Sequence, residues 1–529
     1  MEKKKGINFR PQSVSLIFKE TGIEKLLDII EPIDFRDAFY ADKPEILRRI
    51  EELSHLLKVD DLRGKYGKIR DEIRRYDPSK ADMLTLVILN FLEVTESMDE
   101  KIRSFEDGRY RIYTKELHHW KVIEEKTILL FLSELAQKTG IGRSEALRKA
   151  TIDELKYQFD LLAQVTTPEE NPKIAKINLK NGTFVVSKNG MKLREHRAND
   201  YFNYILPFDY DPEAKCPMFQ NFLDHAIPEK QCQLMLGEFA GYPLSRGLKM
   251  EKALVLFGPG GTGKSTFQIC ISRMYGEENI GPHSLTSLCG TKDSCSFNRA
   301  DLKNYVLNYS TEMGGKDCDP HIVKKVISRE PVEARKPYGE PFILRNYCPV
   351  MFNVNEMPPM ENSSAQRRRV YIAPFINPIP ESAMDVEYAD KIADKELSGI
   401  FNWALEGLKR LMTNKKFTIS PLGRSVAQRL WVENDNVLAF LEASNYVSDS
   451  ESYEYSKVLY EKYKEFCKDN NYRQLSCIRF LRRLEELRIS VDRKAPNHQI
   501  RVYCKVAGDE QREMDQIRED KLNQVLKNI

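Results

Sequence analysis

The chain has 529 residues, 41% of them hydrophobic and 30% charged, with a net charge of only +3. This balance excludes a disordered chain and leaves room for about three domains, each with its own core. It also excludes a globally basic nucleic-acid binder, so any such surface has to be local.

Met1 to Gly6 is basic but lacks the apolar stretch and cleavage site of a secretory signal. The ten cysteines form no Cys-x-x-Cys pair, which points to reduced core residues and a cytoplasmic setting. Residues 1–100 read as a helical region. Ile46, Ile50, Leu53 and Leu57 make a one-sided apolar stripe suited to an oligomerisation collar or a partner-docking site. Asp77-Pro78-Ser79 marks a break before the apolar run Met83 to Leu92, which is too short to span a bilayer, so no membrane role is expected.

Residues 101–245 are mixed. Lys126 to Lys138 reads as a helix, Thr167 to Pro172 as a linker, and Ile177 to Val186 as a hairpin around Asn181-Gly182. His118 and His119 diverge by about 100° if helical, which argues against a shared metal ion. A helix from Met218 to Asp224 and the stretch Leu234 to Tyr242 follow.

Residues 246–415 alternate strand and helix, the pattern of an α/β core with a parallel sheet, closed by a short helical segment from Asp390 to Met412. Its strongest signal is Gly258-Pro259-Gly260-Gly261-Thr262-Gly263-Lys264-Ser265, set between the apolar run Ala253 to Phe257 and a helix opening at Thr266. Glycines let several N–H groups converge on one anion, and the helix N-terminus adds positive potential there. Lys264 is then placed to reach the β- and γ-phosphates of ATP, and Ser265 to coordinate Mg²⁺.

Three further signals follow. The strand Tyr305 to Ser310 leads to Glu312; such a strand is expected beside the phosphate loop, with its acid facing Mg²⁺ or the attacking water. The strand Pro349 to Val354 leads to Asn355, which suits orientation of that water or sensing of the γ-phosphate. Arg367-Arg368-Arg369 precedes the strand Val370 to Ala373, a rigid mount for a guanidinium that stabilises transition-state charge in a neighbour's site. Between them, Arg335, Lys336 and Tyr338 stand on a hairpin with a Pro-Tyr-Gly tip, where cations suit phosphates and a ring suits a base.

Residues 430–506 read as two helices, Tyr455 to Asp469 and Cys477 to Leu487, before two short β segments, the order of a winged helix. From Tyr453 to Lys505 there are 13 Lys/Arg against 7 Asp/Glu, with Arg479, Arg482 and Arg483 on the second helix as DNA-contact candidates. Residues 507–529 form a charged tail.

In order and spacing these elements resemble a superfamily 3 helicase of the poxvirus and phage-satellite primase-helicase type, over about residues 100–500. The resemblance rests on the phosphate loop, on Ser328-Arg329-Glu330-Pro331-Val332-Glu333-Ala334-Arg335-Lys336-Pro337-Tyr338, on Asn355-Glu356-Met357-Pro358 and on Arg368-Arg369. It implies an AAA+-like core with a C-terminal winged helix, working as a hexameric ring with ATP between subunits and single-stranded or forked DNA as partner. Lys264 and Ser265 would hold nucleotide and Mg²⁺, Glu312 would polarise water, Asn355 would act as sensor, Arg368 or Arg369 would act in trans, and Lys336 would grip DNA. Ser310-Thr311 and Ser363-Ser364-Ala365 replace acids found in many relatives, leaving the metal shell to Ser265 and Glu312. No paired-aspartate primase site is visible, so a separate primase or polymerase is an expected partner. The expected setting is a bacterial host cytoplasm or a viral replication site. A replicative helicase of a mobile element is the leading reading; a DNA-stimulated ATPase acting as initiator or protein–DNA remodeller is its rival.

Overall fold

The structure is a computed structural model that describes residues 12–57, 66–98, 100–187, 190–314, 318–337, 339–357, 364–379, 385–433, 435–470, 472, 474–493 and 499–507. The fold is mixed α/β and centres on a five-stranded sheet. Across the sheet the order is Val370–Pro374, Ala253–Phe257, Val350–Val354, Leu307–Ser310 and Ile280–Gly281, all parallel. Ala253–Phe257 is paired on both sides, which is why it reads as an unbroken apolar run. Leu254 and Leu256 enter one core, whereas Ala253 and Val255 enter the core on the opposite face.

The first of these cores is filled by the hairpin Ile174–Leu179 and Gly182–Ser187 and by the helices Pro217–Ala226, Lys230–Gly241, Lys264–Tyr275 and Tyr388–Asn414. The second is filled by the helices Leu285–Cys289, Pro320–Ser328 and Pro421–Glu433 and by the hairpin Val332–Arg335 and Pro341–Leu344. The segment expected as a short helix over Asp390 to Met412 is part of a 27-residue helix, Tyr388–Asn414.

Packing draws the upstream boundaries differently from the sequence reading. One core joins Phe18, Leu26 and Phe91 to Ile102, Phe131 and Phe159, so it runs across residue 100. Within the unit expected over 101–245, many buried residues up to Ala163 join that first core and many from Ala175 onward pack with the central sheet, while Phe105, Tyr113, Trp120 and Ala198 form a small cluster that bridges the two parts. Periodicity reveals which face of a helix is apolar, not which element covers it. The break at Asp77-Pro78-Ser79 does begin a helix, Lys80–Glu96. Ser79 Oγ accepts from the Asp82 N–H at 3.2 Å, and the Asp82 carboxylate accepts from the Ser79 N–H at 3.1 Å.

Residues 436–506 enclose a separate small core. The helices Asn436–Ala443, Ser456–Asp469 and Cys477–Glu486 pack there with a sheet built on Arg501–Val506, which pairs with Tyr446–Ser448, Glu454–Tyr455 and Ser490–Asp492. The first helix and the first two strands of this unit were not evident from sequence. The charged tail lies outside the described residues beyond Ala507. Among the described residues no helix is long and apolar enough to cross a membrane.

The helices Lys230–Gly241 and Tyr388–Asn414 cross closely because glycines meet there. A Cβ on Gly407 would lie 2.1 Å from the Gly237 carbonyl oxygen, and one on Gly241 would lie 2.2 Å from that of Ala404. Neither neighbour is a side chain that can rotate away. Gly407→Ala should therefore destabilise this core by about 3 kcal/mol, read as a lower denaturant midpoint by tryptophan fluorescence; an unchanged midpoint would contradict the close crossing.

Candidate functional site

The phosphate loop leaves the C-terminal edge of the sheet after Phe257 and enters the helix Lys264–Tyr275. Three glycines permit the turn: φ is +156° at Gly258, +76° at Gly261 and +92° at Gly263. Two of them are also hemmed in. A Cβ on Gly258 would sit 2.0 Å from the Phe375 carbonyl oxygen, and one on Gly263 would sit 2.6 Å from the Phe222 ring.

Gly260 to Thr266 line a cleft of about 970 Å³ together with Glu312, Asn353 and Asn355. Phe222, from the helix Pro217–Ala226, and Tyr388 form its flank. Lys264 is buried and its ammonium donates to the carbonyl oxygens of Gly258 at 2.6 Å and Pro259 at 2.8 Å. Burial lowers the pKa of this amine, with no carboxylate to offset the desolvation. Thr262 is held by its own hydroxyl, which donates to the Pro259 carbonyl at 2.9 Å. The donors fit a polyphosphate: convergent backbone N–H groups, a helix N-terminus and a buried cation. Ser265 and Glu312 add hydroxyl and carboxylate oxygens to the same cleft, a donor set suited to Mg²⁺. Among the described residues no cluster of three His, Cys, Asp or Glu side chains forms a metal site.

Glu312 and Asn355 are both exposed at this edge of the sheet. Sequence reasoning placed the Glu312 strand beside the phosphate loop. The structure instead inserts Val350–Val354 between them, so the acid stands one strand further out. A strand pattern marks a buried position in a sheet but not the order of the strands. Sequence reasoning also missed Asn353. Its side chain is buried, accepts from the Tyr309 hydroxyl at 3.0 Å and donates to Gln268 Oε1 at 2.8 Å. Asn353 thus ties three elements together beneath the loop: the acid's strand, the asparagine strand and the helix that follows the loop. A polar side chain inside an otherwise apolar strand, two residues before Asn355, was the available signal.

The arginine turn lies at the opposite edge. Val370 pairs with Ala253 and Pro374 with Phe257, so Arg368 and Arg369 stand where the loop strand begins and the phosphate loop where it ends. At about 3.3 Å per residue the separation along the strand is roughly 20 Å. The two arginines differ. Arg368 is exposed, and its carbonyl accepts from the Lys252 ammonium. Arg369 is buried, with Nε donating to Ser328 Oγ at 2.7 Å.

Ser328 ends the helix Pro320–Ser328, which leads through Arg329 into the hairpin that carries Arg335 and Lys336. Arg329 adopts a left-handed backbone, φ +55°, and its buried guanidinium donates to the carbonyls of Tyr347 at 2.7 Å, Leu248 at 2.7 Å and Arg246 at 2.9 Å. The hairpin is thereby anchored to the core next to the arginine turn. At its tip Arg335 Nε donates to the Gly339 carbonyl at 2.8 Å, and the Lys336 ammonium donates to the Asp107 carbonyl at 2.5 Å. Burial and then the nearby Arg109 and Lys303 charges lower the Lys336 pKa. Tyr338 lies outside the described residues.

On the helix Cys477–Glu486, Arg479 and Arg482 are exposed while Phe480, Leu481 and Leu484 face the core. Arg483 departs from the expectation of a DNA contact. Its guanidinium is bound to Asp435 at 2.5 and 2.8 Å and to Glu486 at 2.6 Å, so two carboxylates already neutralise it. Helical spacing put Arg483 one position from Arg482, yet that step of about 100° turns it toward the neighbouring helix.

Comparison with known proteins matches residues 95–228 to the family described as D5 N terminal like and residues 432–491 to the one described as Poxvirus D5 protein-like. Over these two segments the chain is similar to D5-type primase-helicases, and that similarity supports a DNA enzyme related to replication. Residues 256–369 match a family of unknown function, DUF5906. Among solved structures, an apo form of the C-terminal region of NrS-1 aligns at 13% identity and a TM-score of 0.44, covering 79% of this chain and 98% of that one. Another apo structure of that region, residues 305–718, aligns at 15% identity and a TM-score of 0.40, covering 82% and 100%. No curated protein matches the chain by sequence.

The contrast between the two asparagines is testable. Asn353→Ala should lower stability by about 1–3 kcal/mol, because it strands the Tyr309 hydroxyl and the Gln268 amide. Asn355→Ala should leave the unfolding midpoint in place and reduce ATP turnover. Glu312→Gln should retain nucleotide binding while hydrolysis falls about 10²- to 10⁴-fold. Equal turnover in the Glu312 variant would remove it as the base.

Proposed function

We propose that the chain is an ATP-driven DNA helicase with an AAA+-like core and a C-terminal winged helix, acting as a ring of copies that share their nucleotide sites. The observation that carries this reading is the separation of the phosphate loop and Arg368 to opposite edges of one sheet. The exposed Arg368 guanidinium is too far from its own loop to stabilise the transferring phosphoryl group there. In a ring it would instead serve the cleft of an adjoining copy, where a fixed cation lowers the barrier.

Within one cleft, Lys264 and the loop N–H groups would hold the β- and γ-phosphates. Ser265, with Glu312 nearby, would hold Mg²⁺, which when bound offsets the charge of the phosphate oxygens. Glu312 would take a proton from the attacking water, and Asn355 would fix that water's orientation. The Arg369–Ser328 bond supports coupling of this chemistry to DNA. A shift of the arginine turn on hydrolysis would pull on the helix Pro320–Ser328 and so on the hairpin that presents Arg335 and Lys336. Arg479 and Arg482 on the C-terminal helix offer a second contact for the duplex ahead of the strand being drawn in.

Mixing two inactive variants tests the shared site. Lys264→Ala removes the phosphate cation but keeps Arg368; Arg368→Ala does the reverse. Each alone should lose about 10³-fold or more in ATP hydrolysis. Mixed in equal amounts, they should recover about a quarter of the parent's rate, since that share of interfaces pairs an intact cleft with an intact arginine. No recovery on mixing would overturn the assignment in trans. Displacement of a strand from a forked duplex tests the helicase claim itself: DNA-stimulated hydrolysis without displacement would restrict the protein to initiation or remodelling.

A further inference from the structure

The C-terminal unit carries a cluster that the nucleotide cycle does not use, on the solvent face of its sheet. Tyr455 pairs directly with Arg501 across the strands Glu454–Tyr455 and Arg501–Val506. Tyr503 is two residues beyond Arg501 and Tyr453 two residues before Tyr455, so all four side chains project from one face, while Val502 and Cys504 are buried on the other. The rings form a connected group. Tyr453 lies 5.6 Å from Tyr455 and 5.9 Å from Tyr503 between centroids, and the Arg501 guanidinium sits 4.5 Å over the Tyr453 ring. Tyr453 and Tyr455 remain 39% exposed, enough to leave ring surface open to a ligand.

Two details distinguish this face from an ordinary cross-strand aromatic pairing. The Nε of Arg501 is buried and makes no hydrogen bond among the described residues, so a donor is held without an acceptor. The approach to Tyr453 is also fixed in advance: the Asp449 carboxylate accepts from the N–H groups of Glu451 at 2.8 Å and Ser452 at 2.7 Å, and pairs with Lys505 at 2.6 Å. A set of packed rings beside an arginine whose Nε lacks an acceptor matches what single-stranded nucleic acid presents, a planar base next to a phosphate. The stretch from Tyr453 to Lys505 has 13 Lys/Arg against 7 Asp/Glu, which favours a polyanion over a neutral protein partner.

We infer that Tyr453, Tyr455, Tyr503 and Arg501 form a stacking platform for single-stranded DNA, separate from the hairpin that bears Lys336 and from the helix that bears Arg479 and Arg482. The inference rests on the DNA-helicase reading and adds to it a place where a displaced or incoming strand is held by its bases. Such a contact tolerates any sequence, because every base offers a π face.

The test measures fluorescence anisotropy of a labelled oligothymidylate with the full chain. Tyr453→Ala combined with Tyr455→Ala should weaken binding about tenfold or more, whereas the corresponding pair of Phe changes, which keeps the rings, should stay within about twofold of the parent. Arg501→Gln should reduce the dependence of log affinity on log salt by about one ion. With a bromodeoxyuridine oligomer, photocrosslinks should fall on peptides containing Tyr453, Tyr455 or Tyr503. Unchanged affinity in the alanine pair, with no crosslink to those peptides, overturns the platform and leaves the helicase reading intact. Absence of oligomer binding by the parent overturns both. If Lys336→Ala binds as the parent does while the alanine pair is weakened, the hairpin assignment falls and the platform stands.

Discussion

Double pairing of the strand Ala253–Phe257 in parallel register is the constraint on which the rest of the molecule depends. With Val350–Val354 on one side and Val370–Pro374 on the other, the strand has no freedom to slide, because a one-residue slip would exchange its two buried faces. The loop after Phe257 therefore leaves at one fixed point, and the Phe375 carbonyl closes in on Gly258 so tightly that no side chain is admitted there. The same registers carry Asn355 and Glu312 to the loop's edge and send the arginine turn to the far one. The cleft at the loop and the remote arginine are two consequences of a single hydrogen-bonded ladder.

Around that ladder, buried polar groups hold the neighbouring elements in defined positions. Asn353 joins Tyr309 to Gln268 beneath the phosphate loop, while Arg329 spends its guanidinium on three backbone carbonyls and Arg369 on Ser328. Each of these is expensive to bury without partners and specific once partnered. Glu396 plays a similar part at a distance: from the long helix Tyr388–Asn414 its carboxylate accepts from the N–H groups of Met218 and Phe219 at 3.0 and 2.9 Å. That bond seats the helix whose Phe222 closes against Gly263. Packing of the long helix Tyr388–Asn414 thus reaches the phosphate loop through one buried carboxylate at the N-terminus of the helix Pro217–Ala226.

Much of this was legible in the sequence wherever chemistry is local. Glycines, a lysine and a hydroxyl in consecutive positions specify a phosphate cradle because the cradle is made of consecutive residues. Alternating segments likewise specify a parallel sheet with helices. What required coordinates was non-local. Strand order decides that Glu312 stands one strand away from the loop, and no residue near Glu312 encodes this. Residue 100 looked like a boundary because the helical pattern stops there, yet Phe91 and Phe131, 5.1 Å apart between ring centroids, share a core across it. Asn353 and Arg329 were present in the motifs as read, but burial is what separates them from the neighbours that received the functional roles.

Charge shows the same division between what a sequence counts and what a fold makes available. The run Arg367-Arg368-Arg369 supplies three cations, of which Arg369 is consumed internally and Arg367 lies near Asp435 and Glu486, acids that also engage Arg483. Only the middle arginine of the run is exposed. In the hairpin, Lys336 rests against a neutral carbonyl among the like charges of Arg109 and Lys303. Its ammonium is desolvated there, and the Asp107 carboxylate, itself paired with Arg111, offsets only part of the surrounding positive charge. The contact with Asp107 holds the hairpin tip next to the first core, so the position of the tip is set by a turn far away in the chain.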